Sequence, residues 1–255
     1  MDEAVDFDAL RLGALFAGES QAPSLELVRA ARLVSWFGAG DAGFVGRLSA
    51  LVPGAIVAPP FAAGRAAWEH LLLSVGAAPV DAQRWREPIV APAELVDEGR
   101  GELRRAGWDG AAPLVLVHPG AGGTAKRWPV AGFAAVLERV AASRRIALAV
   151  HEGPADRDAV ADLRARLSSP ILGLVEPSLT TLAGVLGVVT AYLGNDSGVS
   201  HLAAALGVPS VVLFAADKLD WRPWARHVEP LVVAPARVVP GDVELVAAAL
   251  AGLVG

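Results

Sequence analysis

The chain has 255 residues, with 22 Lys+Arg against 27 Asp+Glu for a net charge of −5, no Cys, 27 Gly and 18 Pro. At roughly 150 residues per domain, that length holds between one and two domains. The absence of Cys excludes disulfides, thiolate-held metals, iron–sulfur clusters and thiol nucleophiles, and a mildly acidic chain without a basic stripe argues against nucleic acid as a partner.

The first apolar run is 32–37, and a second follows at 55–58. Between them, Gly38-Ala39-Gly40-Asp41-Ala42-Gly43 matches G-x-G-x-x-G after a strand. The acid expected about 20 positions on is absent, replaced by Ala58-Pro59-Pro60-Phe61, so no dinucleotide site is expected there. Segment 79–110, with Pro79, Pro88 and Pro92 among charged residues, reads as a linker carrying a helix over 93–106. From Leu114 onward, strand-like runs fall at Leu114–His118, 146–151, Ile171–Val175, 190–194, Ser210–Phe214 and 230–234. Helical patterns fall between most of them, at Val130–Ser143, 155–167, Leu179–Leu186, 199–206 and 243–253. Continuous apolar strands alternating with helices mean βαβ units and a parallel sheet buried on both faces. The expected fold is therefore α/β, with a reduced amino-terminal domain over 1–78, the linker and helix over 79–110, and a complete Rossmann-like domain over 111–255. An incomplete amino-terminal sheet would leave an open edge, which predicts a cover such as a homodimer contact.

A mean hydropathy of +0.46 raises the question of a membrane span. Stretches 177–195 and 197–216 lack charged residues over about the 20 positions a spanning helix needs. The first contains Thr180, Thr181, Thr190 and three Gly, and the second contains His201 and Pro209, so both read as helix–turn–strand pairs. The start, Met1-Asp2-Glu3-Ala4, lacks the basic region of a signal peptide, and the expected location is the cytoplasm.

Two strand-to-helix loops carry chemistry. The first is His118-Pro119-Gly120-Ala121-Gly122-Gly123-Thr124-Ala125-Lys126-Arg127-Trp128-Pro129. Its glycines allow a ligand close to the backbone, successive N–H groups make an anion-binding concavity, and Lys126 adds a point charge suited to phosphate. Only two Lys occur among 22 basic residues, Lys126 and Lys218, so Arg was the default cation and Lys126 stands out. The loop is no Walker A sequence, because Ala125 precedes the Lys and Arg127 follows it. An ordinary Gly-rich turn is the plainer alternative.

The second loop is Gly194-Asn195-Asp196-Ser197-Gly198-Val199-Ser200-His201. Asp196 or Ser197 suits a helix N-cap, and a helix N-terminus favours phosphate. His201, in the first turn, can face the same ligand or be a core histidine. Both loops lie at the carboxyl ends of strands, where open α/β sheets bind ligands, and two anion-favouring loops together suggest a diphosphate. In His151-Glu152-Gly153-Pro154-Ala155-Asp156, Glu152 or Asp156 could accept from ribose hydroxyls, or Asp156 could be a first-turn helix acid with Pro154 in that turn. The segment 217–226, rich in Trp and cations, could border a ligand or simply pack on the surface. No Ser-His-Asp set and no metal cluster is legible among the five His.

The two loops in this order, with Leu202-Ala203-Ala204-Ala205-Leu206-Gly207-Val208-Pro209 after the second, resemble glycosyltransferase family 9, the bacterial lipopolysaccharide heptosyltransferases. The resemblance runs from about Leu114 to Phe214, with weaker traces at Val34-Ser35-Trp36 and His70-Leu71-Leu72. It implies a GT-B fold of two Rossmann-like domains facing across a cleft. It implies inverting transfer of heptose from ADP-heptose to a lipid-linked saccharide at the inner membrane surface, with no cofactor and no required metal. Carried over, Ala121, Gly122, Gly123, Thr124 and Lys126 bind the donor phosphates. Asp196, Ser197, Gly198 and His201 hold the diphosphate and sugar, and Glu152 or Asp156 lies near the nucleotide. The family's first βα unit, whose Gly-Asp loop supplies the general base, has no counterpart here, and Asp41 is the replacement the sequence offers. A nucleotide-sugar-binding protein without turnover, a shortened form of a longer enzyme, and another GT-B enzyme such as an epimerase are the alternatives.

Overall fold

The computed structural model describes residues 5–17, 29–78 and 86–255. Residues 1–4 and the first part of the expected linker, 79–85, lie outside them. Internal contacts divide the chain into two units between residues 83 and 84.

The first unit contains α1 (Gly13–Ala17), β1 (Val34–Ser35), α2 (Ala42–Leu51), β2 (Ile56–Val57) and α3 (Ala67–Ser74). The two strands pair in parallel, Val34 opposite Ile56, with α2 as the crossover. β1 is shorter than the apolar run that predicts it. After Ser35 the chain bends, because the Ser35 hydroxyl donates to Phe37 O at 2.9 Å and accepts from Phe37 N at 3.2 Å. Leu15, Phe44 and Leu48 form a small core, and the Phe16 ring stacks on Phe44 with centroids 4.4 Å apart. The glycine-rich stretch before α2 serves this core. Gly38 has φ +75°, and a Cβ there would strike the Phe44 ring. Asp41 is the N-cap, its Oδ1 accepting from Phe44 N at 2.8 Å.

The second unit is a doubly wound α/β domain. In chain order it contains α4 (Ala93–Arg105), β3 (Leu114–His118), α5 (Val130–Ser143), β4 (Ala147–Glu152), α6 (Arg157–Arg166) and β5 (Ile171–Val175). Then come α7 (Leu179–Leu186), β6 (Ala191–Asn195), α8 (Gly198–Ala205), β7 (Ser210–Phe214), β8 (Val228–Val232) and α9 (Pro240–Leu253). The six strands are all parallel, in the order β5-β4-β3-β6-β7-β8. Alternate side chains of each strand go to opposite faces. Val115 and Val117 join Leu193, Val211 and Leu213 under α5, α6 and α9. Leu114 and Leu116 join Tyr192, Val212 and Phe214 under α4, α7 and α8. Burial on both faces is why these strands read as unbroken apolar runs.

Three of the boundaries that differ from the sequence expectation have a clear local cause. β8 starts two residues before 230, where pairing with β7 places Val228 opposite Ser210; Pro230 is tolerated because β8 is an edge strand. α6 starts at Arg157, after a turn in which Asp156 N donates to Gly153 O at 3.0 Å, so Pro154 precedes the helix rather than opening it. α9 begins at Pro240, a residue suited to the first helical position. Stretches 177–195 and 197–216 become α7 with β6 and α8 with β7, and among the described residues no helix is long and apolar enough to cross a membrane.

α4 crosses α7 at two glycines. A Cβ on Gly99 would run into the Gly184 backbone, and one on Gly184 into the Leu95 carbonyl. Gly184→Ala should therefore overpack the crossing and lower stability by about 2 kcal/mol, read as a lower urea midpoint. Gly252, exposed in α9 with open space at its Cβ position, is the matched control, and Gly252→Ala should raise the midpoint slightly.

Candidate functional site at the switch point

β3 and β6 are neighbours at the centre of the sheet, and the chain order runs outward from them in both directions. Their carboxyl ends form the topological switch point, where ligands sit in open α/β sheets. The loop after β3 and the loop after β6 meet there.

Asn195, fully buried at the end of β6, holds both ends of the first loop. Its Nδ2 donates to Pro119 O at 2.8 Å, and its Oδ1 accepts from Trp128 N at 3.1 Å. Arg127 closes the loop from inside, its guanidinium donating to Ala121 O at 3.2 and 2.9 Å. Arg127 is thus an internal brace, which leaves Lys126 as the loop's outward cation. Trp128 anchors the exit, buried beside Phe133 with ring centroids 5.5 Å apart. On the other side, Ser200 Oγ donates to Asn195 O at 2.5 Å and lies 2.9 Å from the buried Tyr192 hydroxyl.

Ser197, rather than Asp196, caps α8: its Oγ accepts from Ser200 N at 3.3 Å. The Asp196 carboxylate is therefore free for side chains. Lys126 Nζ lies 2.6 Å from its Oδ2, an ion pair. His201 Nε2 lies 3.8 Å from its Oδ1. Burial alone would raise the Asp196 carboxyl, but His201 and Lys126 outweigh it and hold the group below its ordinary range. His201 is 46% exposed, which rules out a core histidine.

The glycines of the two loops fall into two classes. A Cβ on Gly120 would run into the Asp156 carboxylate, and one on Gly194 into the Tyr192 hydroxyl. Those two are required by packing. Gly122, Gly123 and Gly198 have open space at the Cβ position and no left-handed φ. Neither packing nor backbone strain within the protein asks for glycine at these three.

The structure thus brings Lys126, Asp196, Ser197, Gly198 and His201 together and takes the other predicted acids elsewhere. Glu152 Oε2 lies 3.5 Å from Arg164 Nη1. Asp156 Oδ2 accepts from Gly153 N at 3.1 Å and lies 3.9 Å from His118 Nδ1. His118 Nδ1 in turn lies 3.1 Å from His151 Nδ1. Burial pushes the His118 imidazole down to about 4 and lowers His151 as well. This buried trio was not expected from five scattered His. The signal that could find it is that His118 and His151 each end an apolar run, so neighbouring strands put them side by side. Asp41 is committed to capping α2. A cavity of about 340 Å³ lined by Trp108, Leu148 and Leu172 lies at the opposite, amino ends of the strands. It lacks the cations and loop amides of the switch point.

The Asn195 clamp has a measurable weight. Asn195→Ala leaves the Pro119 carbonyl and the Trp128 amide without partners and should cost about 3 kcal/mol. A urea midpoint equal to that of the unchanged protein would mean the loop ends hold themselves.

Residues 90–237, more than half of the chain, match the family model for glycosyltransferase family 9 (heptosyltransferase). Lipopolysaccharide heptosyltransferase 3 of Escherichia coli is 32% identical over 123 residues, 44% of this chain and 34% of that protein. The match thus spans about a third of the length of that curated relative. Among solved structures, the E. coli ADP-heptose LPS heptosyltransferase II has a TM-score of 0.63 at 20% identity, covering 90% of this chain and 78% of that one. A glycosyl transferase family 9 structure from Veillonella parvula has a TM-score of 0.66 at 18% identity, covering 83% and 70%. These two likenesses show the fold class, α/β with parallel sheets and GT-B-like. Both switch-point loops lie inside the matched residues, and with that match the chain belongs to glycosyltransferase family 9.

Proposed function

We propose that this chain binds an ADP-sugar at the switch point and transfers its heptose, with inversion, to a lipid-linked saccharide at the cytoplasmic surface of the inner membrane. The observation that carries this reading is the meeting of Lys126, Asp196 and His201 at the switch point, beside Gly122, Gly123 and Gly198, whose Cβ positions are open. Their loops expose backbone N–H groups beside Lys126 and the start of α8, a surface suited to a diphosphate. The names of the heptosyltransferase relatives support the donor and acceptor classes.

In the proposed step, the acceptor hydroxyl oxygen attacks the anomeric carbon from the face opposite the diphosphate. The bond from that carbon to the diphosphate oxygen breaks, and the electron pair leaves with ADP. Lys126, His201 and the amides at the start of α8 stabilise the charge that develops on that oxygen, an electrostatic contribution that needs no metal. The hydroxyl proton goes to a general base within hydrogen-bond reach. Asp41 is the base the sequence offers, and its use as a cap favours a second reading, a nucleotide-sugar binder without turnover.

Calorimetry with ADP tests the site. Lys126→Ala should weaken ADP binding about 10-fold to 100-fold, the worth of one charge-assisted contact. Gly198→Ala should leave the urea midpoint nearly unchanged yet weaken ADP comparably, because only a ligand meets the added methyl. Unchanged ADP affinity in both variants would sink the assignment. Release of ADP from ADP-heptose in the presence of a lipid-linked acceptor separates the transferase from the binder.

A further inference from the structure

We propose that His118, His151 and Asp156 form a divalent-cation site, with zinc as the ion that best fits the donor set. The inference does not rest on the glycosyl-transfer reading. One ligand atom from each residue lies within 4.8 Å of the other two, and all three side chains are buried. Two nitrogens bound about 2.1 Å from one tetrahedral ion stand roughly 3.4 Å apart. The Nδ1 atoms of His118 and His151 stand 3.1 Å apart, so two lone pairs can share one ion with little movement. The Asp156 carboxylate, 3.9 Å from His118 Nδ1, supplies the oxygen.

The backbone fixes this arrangement. Val117 pairs with Val150 across β3 and β4, which sets His118 and His151 side by side at the strand ends. The turn before α6 holds Asp156 through its own N–H to Gly153 O and through Gly153 N to Oδ2. Two glycines keep room for the carboxylate. A Cβ on Gly120 would run into it, and one on Gly153 would stand 2.9 Å from Oδ2. Burial keeps both imidazoles neutral, the form a metal ligand requires. Imidazole with carboxylate suits zinc and its first-row neighbours, while three protein ligands leave a position for water. An ion here would tie the ends of β3 and β4 to the start of α6, at the root of the loop that begins with Pro119. The competing arrangement is a single hydrogen bond between the two rings with no ion.

The test uses the full chain after dialysis against a chelator. Zinc is titrated in competition with a chromophoric chelator, and Co²⁺ is followed by absorption. The expected result is one equivalent of zinc, and a Co²⁺ spectrum of the intense tetrahedral type that zinc abolishes. His151→Gln and Asp156→Asn should each weaken zinc by about 100-fold or more, and His227→Asn should not. If a variant fails to fold, NMR of the unchanged protein decides: zinc must shift the imidazole signals of two of the five His and leave three in place. No saturable uptake up to about 100 μM zinc, full affinity in a folded His151→Gln, or shifts at other His would overturn the proposal in favour of the ring–ring hydrogen bond.

Discussion

The site depends on one buried side chain. Asn195 gives its amide N–H to Pro119 O and takes the Trp128 N–H on its amide oxygen, so a single planar group fixes where the first loop leaves and where it returns. The strand order makes this possible, because β3 and β6 become neighbours only where the winding reverses. With both ends pinned, the loop interior needs little further support, and Arg127 supplies it by reaching across to Ala121 O. Lys126 N and Arg127 N close a turn on Gly123 O and Thr124 O, and the open Cβ positions of Gly122 and Gly123 leave the backbone approachable there. The clamp is itself held in place: Ser200 binds the Asn195 carbonyl, and Tyr192 backs Ser200 from inside the sheet.

Glycine is the second constraint, and it acts in two ways. At Gly120, Gly194 and Gly132 the neighbours are the Asp156 carboxylate, the Tyr192 hydroxyl and the Trp128 ring, all too close for a methyl group. These glycines let large or polar side chains fold back against the loops. At Gly122, Gly123 and Gly198 nothing in the protein competes for the space. Beside Lys126 and the start of α8, that room would let a ligand approach the backbone, as the proposed donor site requires.

The sheet was legible in the sequence because each central strand is buried on both faces and so shows no polar interruption. Leu114–His118 and Ser210–Phe214 match the structure residue for residue. β8 was less so, since its sequence carries Pro230 and Glu229 and only its pairing with β7 defines it. The Gly-rich loop after β3 stood out in the sequence by its glycines and by Lys126 in a chain whose one other Lys is Lys218. The Asn195 clamp was not, because a side chain bonding to backbone groups 67 and 76 residues away leaves no periodic trace. The His118–His151–Asp156 trio was hidden for a related reason. It exists through strand register, and spacing along the chain says nothing of which strands are neighbours.

An acid at the centre of a site suited to anions needs explaining. Asp196 is buried, and its two oxygens face Lys126 and His201. In the proposed donor site its part is therefore to hold Lys126 and His201 in position rather than to meet a phosphate itself. A lysine ammonium on its flexible stem would otherwise sample many positions, and a charge placed in advance costs no reorganisation when new charge develops beside it. Asn195 and Asp196 are consecutive, and one fixes the backbone of the first loop while the other fixes its cation. Two neighbouring residues at the end of one strand thus set both the shape and the charge of a loop that belongs to another strand.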